Sequence, residues 1–273
     1  MSDYAIQVNN ASFSYGDKEV FSSLSFKVKN GEIFCIVGPN GCGKTTLLNI
    51  ILGLLKLKQG NIIIDNSNIE NYSPKLLAEK IAYVPQIHQR TFPYKVREIV
   101  LMGRAYNTSI FSSPPKEDML IAEHAMEKTG ILHLADKPYT QISGGECQLV
   151  MIARALAQQP KIIVMDEPTS HLDFKNELVL LEAAVDLARR ENITIMMATH
   201  VPNHAFYFEA RRIPTTIALM SNETFMSIGS PQEVLNENNI RSIYNINSKV
   251  LNHLLNDDTS ITQIVPISII KDV

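Results

Sequence analysis

Residues 38–46 read GPNGCGKTT, and this stretch decides how the chain folds. It fits the spacing G-x-x-x-x-G-K-[ST] at Gly38, Gly43, Lys44 and Thr45. The run IFCIVG before it is apolar and strand-like, and TTLLNIILGLL after it has the i, i+3, i+4 apolar spacing of a helix. A strand entering a glycine-rich turn that opens a helix is a phosphate cradle. Glycines let successive backbone N–H groups converge on phosphate oxygens, and the helix N-terminus adds positive potential. In such a cradle Pro39, Asn40, Gly41, Cys42 and Thr46 complete the loop, Lys44 reaches the β- and γ-phosphates, and Thr45 ligates Mg²⁺. Cys42 stands two residues before Lys44, where positive potential predicts a thiol shifted towards thiolate.

Outward from the cradle, strands and helices alternate. AIQVNNASFSY and FSSLSFKVKNGE read as opening strands, and GNIIIDN as another. Ser73-Pro74 starts a short helix, SPKLLAEKI, before the strand IAYVPQ. From about 88 to 160 the pattern is helical: VREIVLMGR, then KEDMLIAEHAMEKTG capped by Ser113-Pro114 and stopped at Gly130, then ECQLVMIARALAQQP ended by Pro160. Strands return as KIIVMD and ITIMMATH, with the helix NELVLLEAAVDLARR between them. IALMSN and ETFMSIG read as a hairpin. The tail predicts one helix, PQEVLNENNIRSIY, and two strands, SKVLNHLL and ITQIVPIS. Strands alternating with helices around a helical insert predict an α/β core with a helical subdomain.

Composition narrows the function. The chain has 273 residues, 45% hydrophobic, a net charge of −3 and a pI near 6.2. That supports a sizeable core and gives no reason to expect a polyanion-binding surface, so no nucleic-acid partner is expected. Cys35, Cys42 and Cys147 are scattered without metal-ligand spacing and read as reduced cytosolic thiols. The start MSDYAIQVNN has no secretory pattern. KIIVMDEP and ITIMMATH fall far short of the ~20 apolar residues of a membrane helix, so any work at a membrane goes through a partner.

Three further strand ends can carry chemistry. KIIVMDEP closes on Asp166, suited to a Mg²⁺ shell, and Glu167, suited to polarising an attacking water. ITIMMATH closes on His200, and IAYVPQ on Gln86; at the carboxyl edge of a sheet with a nucleotide site, both can reach the γ-phosphate region. QISGGECQLV (141–150) is harder to place, because Ser-Gly-Gly opens a helix with no chemical partner nearby in sequence.

The order Tyr15, GPNGCGKT, Gln86, ISGGE, Asp166-Glu167, SHLD (170–173) and His200 resembles the ATP-binding cassette ATPases, over about residues 5–235. The resemblance implies a P-loop NTPase (RecA-like) core with an N-terminal antiparallel β subdomain and an inserted α-helical subdomain. The core would take 1–87 and 161–273, and the helical subdomain 88–160. It implies ATP and Mg²⁺, with Tyr15 stacked on adenine, Gln86 sensing the metal and the water, and Glu167 and His200 serving hydrolysis. It also explains Ser-Gly-Gly. Two copies face head to tail, and Ser143, Gly144, Gly145 and Glu146 of one cap the γ-phosphate held by the other, with Asp173 at the seam. Departures are Glu146 where glutamine is commoner, Cys147 where arginine is frequent, and Val201 where aspartate often follows the histidine.

Finer detail is similar to the import branch for iron–siderophore, haem, cobalamin and molybdate. The carriers are FPYKVREIVLMGR (92–104), FSSPPKED (111–118), residues 138–174 including TSHLDF, and THVPNHAF (199–206). This implies a polytopic permease partner, an associated substrate-binding protein and a place on the cytoplasmic face of the cell membrane. Iron chelate is the first expectation for cargo, with molybdate or tungstate and cobalamin as alternatives. A soluble non-transport cassette and a nucleotide-binding module without turnover are the competing classes; intact Glu167 and His200 argue against the second.

Overall fold

A computed structural model describes residues 3–86, 92–106, 114–254 and 260–270. The chain opens with β1 (Tyr4–Tyr15) and β2 (Lys18–Lys29), an antiparallel hairpin, and then enters β3 (Ile33–Val37), all five residues of which are buried. The glycine-rich loop leads into α1 (Lys44–Ile51). Next come β4 (Gln59–Ile64) and the short β5 (Ser67–Asn68), which complete a four-stranded antiparallel sheet in the order β2-β1-β4-β5. Helix α2 (Pro74–Ala78) begins as its sequence predicts, with Pro74 in the first turn and Ser73 Oγ accepting the Leu76 N–H at 3.3 Å.

From β6 (Ile81–Val84) the chain passes into α3 (Val96–Leu101), a single 3-10 turn at Met102–Arg104, α4 (Lys116–Lys128) and α5 (Gly144–Ala157). These three helices pack on one another before the chain returns as β7 (Ile162–Asp166), paired parallel to β6. Helix α6 (Phe174–Glu191), β8 (Thr194–Thr199), α7 (Asn203–Ala210) and the hairpin β9 (Thr215–Ser221) and β10 (Thr224–Gly229) follow. The second sheet has the order β10-β9-β3-β8-β7-β6 and is parallel except at β10. The tail adds α8 (Pro231–Val234), α9 (Glu237–Tyr244) and an antiparallel pair, β11 (Ile246–Leu254) and β12 (Ser260–Ile269). This is the P-loop α/β architecture, with an antiparallel sheet at its start and a helical insert.

Successive residues of one strand serve two cores. In β3, Ile33, Cys35 and Val37 join the cluster under α3–α7, while Phe34 and Ile36 join the cluster that holds α1 against the antiparallel sheet. β7 and β8 divide in the same way, Met165 and Met197 to one side and Val164 and Met196 to the other. A strand buried on both faces needs apolar residues at every position, which is why IFCIV, IIVM and TIMMA run without alternation.

Two local expectations are corrected. Pro115 stands at the N-cap of α4 and gives it no side-chain cap; Ser113, expected to cap it, lies outside the described residues. The tail helix is two helices. Leu235 leaves helical geometry (φ −88°, ψ 65°), and the next residue, Asn236, caps α9 by accepting the Asn239 N–H at 2.9 Å. An asparagine able to cap sits inside the periodic run, and the cap overrides the continuous apolar pattern.

Candidate functional site

β3, β6, β7 and β8 are parallel, so their carboxyl ends share one edge of the sheet. That edge collects the glycine-rich loop after Val37, Gln86 after Val84, Asp166-Glu167 ending β7, and His200 after Thr199. Side chains far apart in sequence thus converge where open α/β sheets bind ligands.

The loop is built around its glycines. Gly43, the N-cap of α1, has φ 104°, and a Cβ there would stand 2.9 Å from Val20 Cγ1. A Cβ at Gly38 would meet Met220 O at 2.3 Å. A side chain at either position would displace the loop from the sheet that supports it. Lys44 is buried; its ammonium donates to Gly38 O at 2.8 Å and Pro39 O at 3.1 Å. A cavity of about 730 Å³ opens over the loop, lined by residues 39–46 with Tyr15, Gln86 and Glu167. Tyr15 is half-exposed at its rim, its ring set edge-on to Phe13 with centroids 4.9 Å apart.

Glu167 is the hub. Its Oε1 lies 3.5 Å from Lys44 Nζ, while Oε2 accepts Gln86 Nε2–H at 3.3 Å and lies 3.1 Å from His200 Nδ1. Its backbone has φ 44°, and its N–H bonds Ala198 O at 2.8 Å. A left-handed conformation at a non-glycine residue costs about 1–3 kcal/mol and marks a position held by its surroundings. Asp166 is 3% exposed, and its Oδ1 has no hydrogen-bond partner among the described residues. Burial pushes its carboxyl above the usual range, with a Thr45 hydrogen bond opposing. A buried, underused carboxylate oxygen beside a hydroxyl fits a magnesium ion that takes its remaining ligands from phosphate and water. Among the described residues no group of three or more His, Cys, Asp or Glu makes an all-protein metal cage.

One expectation reverses. Cys42 is pushed up in pKa because burial outweighs the nearby Lys44 charge, so positive potential does not leave it a thiolate.

The Ser-Gly-Gly group is not among the residues lining this cavity. Ser143 caps α5: its Oγ accepts the Glu146 N–H at 3.2 Å, and Glu146 accepts the Ser143 N–H at 2.7 Å, a reciprocal capping box. Among the described residues nothing lies within 4 Å of a Cβ built on Gly144, whereas one on Gly145 would strike Asn176 at 2.3 Å. Asn176 in turn donates twice to Asp173, the cap of α6. Gly145 therefore lies against the residue that holds Asp173, and neither Ser143–Glu146 nor Asp173 lines the cavity of their own chain.

The sequence missed part of the lining: Lys18, Glu19 and Val20 of β2, Ser221 at the end of β9, and Asn222 and Glu223 of the β9–β10 turn. That turn was legible as a hairpin, and Asn222 and Glu223 take the positive φ values (47° and 65°) its two-residue loop requires. Its reach to the site is tertiary, made by Ser22 N–H bonding Glu223 O at 2.9 Å.

Residues 21–170 match the family model described as ABC transporter. The chain is 34% identical over 243 residues to the molybdate import ATP-binding protein MolC of Haemophilus influenzae, covering 89% of this chain and 88% of that one. It is 30% identical over 247 residues to the iron(3+)-hydroxamate import ATP-binding protein FhuC of Bacillus subtilis, covering 90% of each. A solved ABC transporter in an inward-facing conformation, described as of metal-chelate type, superposes with a TM-score of 0.85 at 32% identity, covering 97% of this chain and 98% of its own. With a family match over more than half its length, on a fold that brings the glycine-rich loop, Asp166, Glu167 and His200 to one edge, the chain belongs to the ABC transporter family, as an ATP-hydrolysing cassette.

Proposed function

We propose that this cassette energises uptake of a metal chelate through a polytopic permease that holds it at the cytoplasmic face of the membrane, with a substrate-binding protein delivering cargo. Two copies face head to tail. Lys44 binds the β- and γ-phosphates, Tyr15 stacks on adenine, and Thr45, Asp166 and Gln86 serve the magnesium ion, which neutralises phosphate charge when bound. Glu167 polarises the attacking water, and His200 and Gln86 fix it in place. Ser143, Gly144 and Gly145 of the facing copy cap the γ-phosphate with helix N–H groups.

The observation that carries this reading is the division of the site. One chain assembles the cradle, Lys44 and the Glu167 hub around one cavity, and leaves Ser-Gly-Gly outside it on an open helix N-terminus. That division supports reading each chain as contributing half of a composite site. No helix among the described residues is long and apolar enough to cross a membrane, which accords with a permease supplying the membrane path.

An iron chelate is our first choice of cargo, supported by the likeness to FhuC and to the metal-chelate transporter. Molybdate is the second, favoured by the likeness to MolC. Uptake of ⁵⁵Fe-chelate and ⁹⁹Mo-molybdate by cells lacking this chain tests both. Loss of iron uptake alone supports the first reading, loss of molybdate uptake alone the second, and unchanged uptake of both overturns both.

A further inference from the structure

His200 is half-exposed, with a side-chain exposure of 47%, so little side-chain packing aims it at Glu167. Its aim is set by the turn that carries it. The residue before it, Thr199, is 1% exposed, and its Oγ1 accepts the N–H of the residue after it, Val201, at 3.1 Å. The same hydroxyl lies 3.0 Å from Nδ1 of His204, which is 2% exposed at the start of α7. His204 Nε2 lies 2.7 Å from Glu177 Oε1 on α6. Glu177 is one turn into a helix whose cap is Asp173, and its N–H bonds Asp173 O at 2.9 Å.

We propose that Thr199, His204 and Glu177 are positioning residues for ATP hydrolysis, a buried hydrogen-bond chain that fixes the His200 turn and ties it to the Asp173 end of α6. One arrangement of protons satisfies every member. Val201 N–H donates to Thr199 Oγ1. The Thr199 hydroxyl has a single proton and donates it to His204 Nδ1. In its Nε2–H tautomer His204 donates to the Glu177 carboxylate at 2.7 Å. The His204 bond also draws the Glu177 carboxyl below its usual range. All directions therefore run from the His200 turn towards α6. A second contact, long at 3.5 Å, comes from the Tyr244 hydroxyl to His200 O.

A buried histidine bonded on both nitrogens would satisfy packing alone. What sets this one apart is that the oxygen it meets joins the two residues flanking His200, and that its other partner stands on the helix capped by Asp173. A movement of the first turn of α6 is passed along hydrogen bonds to the residue that touches Glu167.

The inference rests on the role proposed for His200, and the test separates the two. Steady-state ATPase and equilibrium ATP affinity are measured for Thr199→Val, Thr199→Ser, His204→Phe, Glu177→Gln and His200→Ala. The expected result is a fall in kcat of about 10-fold or more for Thr199→Val and His204→Phe, with ATP affinity within about 2-fold of wild type. Thr199→Ser, which rebuilds both bonds of the hydroxyl, keeps kcat within about 2-fold. Glu177 is a quarter exposed on its side chain, so Glu177→Gln reports on the chain even where a core variant fails to fold. Its neutral amide oxygen is a weaker acceptor, and a smaller loss in kcat alone is expected. Wild-type kcat in Thr199→Val and Glu177→Gln overturns the proposal, as does a parallel fall of kcat and affinity. If His200→Ala itself turns over at the wild-type rate, the reading of His200 fails first.

Discussion

The carboxylate of Glu167 lies 3.5 Å from the ammonium of Lys44, across a site where each also has other partners. Lys44 holds two backbone carbonyls of its own loop; Glu167 holds Gln86 and faces His200. The group proposed to bind phosphate and the group proposed to polarise water are thus in direct electrostatic contact. A γ-phosphate at the cradle would compete for Lys44, and in doing so would free one oxygen of Glu167.

That relationship makes Glu167→Gln informative. The amide keeps the shape and loses the charge and basicity, so ATP binding is retained while hydrolysis falls by about 10²-fold or more. The ATP-bound dimer should accumulate. Phosphate release and size-exclusion chromatography with MgATP read both effects, and wild-type phosphate release contradicts the assignment.

Cys42 gives a pH prediction. Its thiol is pushed up because burial outweighs Lys44, so the reactive thiolate forms only at a pH above the ordinary thiol range. The midpoint of the pH–rate profile for alkylation should lie above that of a free cysteine, and MgATP should protect, since Cys42 lines the cavity. A midpoint below that of free cysteine would show that Lys44 dominates.

The two glycines after Ser143 should separate stability from function. Gly144→Ala meets nothing within 4 Å and should leave unfolding within about 0.5 kcal/mol of wild type. Gly145→Ala drives a Cβ into Asn176, the residue that holds Asp173, and should cost about 1–3 kcal/mol. Urea midpoints compare them; equal midpoints would mean that Asn176 yields freely.

In the helical insert, Arg104 Nε donates to Asp118 Oδ1 at 2.8 Å, with both side chains about 5% exposed. Asp118→Ala removes the carboxylate that this buried guanidinium meets at 2.8 Å and should destabilise the chain by about 3–5 kcal/mol. Urea unfolding measures it, and a loss under about 1 kcal/mol would show that the other partners of Arg104, Tyr106, Ala157 O and Gln159 among them, suffice.

The buried strands and the loop between β3 and α1 were legible because each carries a local signature: unbroken apolar runs, glycines at fixed offsets, a carboxylate pair at a strand end. What sequence alone left out is tertiary. The Asn222–Glu223 turn lines the cavity because of a backbone bond to β2, and Glu177 and His204 matter through partners 27 residues apart. Cys42 was misjudged because its spacing to Lys44 was visible and its burial was not. Ser143 and Glu146 cap their own helix, a role the S-x-x-E spacing already carried.

The most direct test of the composite site is Gly144→Asp, measured for nucleotide affinity in the isolated chain and for ATPase at concentrations that allow dimers. Gly144 is the first residue of α5 and faces open space, so an aspartate there fits the chain and suits the helix dipole. It would repel a γ-phosphate brought against that terminus by a facing copy. The account predicts affinity within about 2-fold of wild type and ATPase reduced by about 10²-fold or more, since the cradle is complete in one chain and the cap is not. Loss of nucleotide binding by the isolated chain, or ATPase at the wild-type rate, would contradict it.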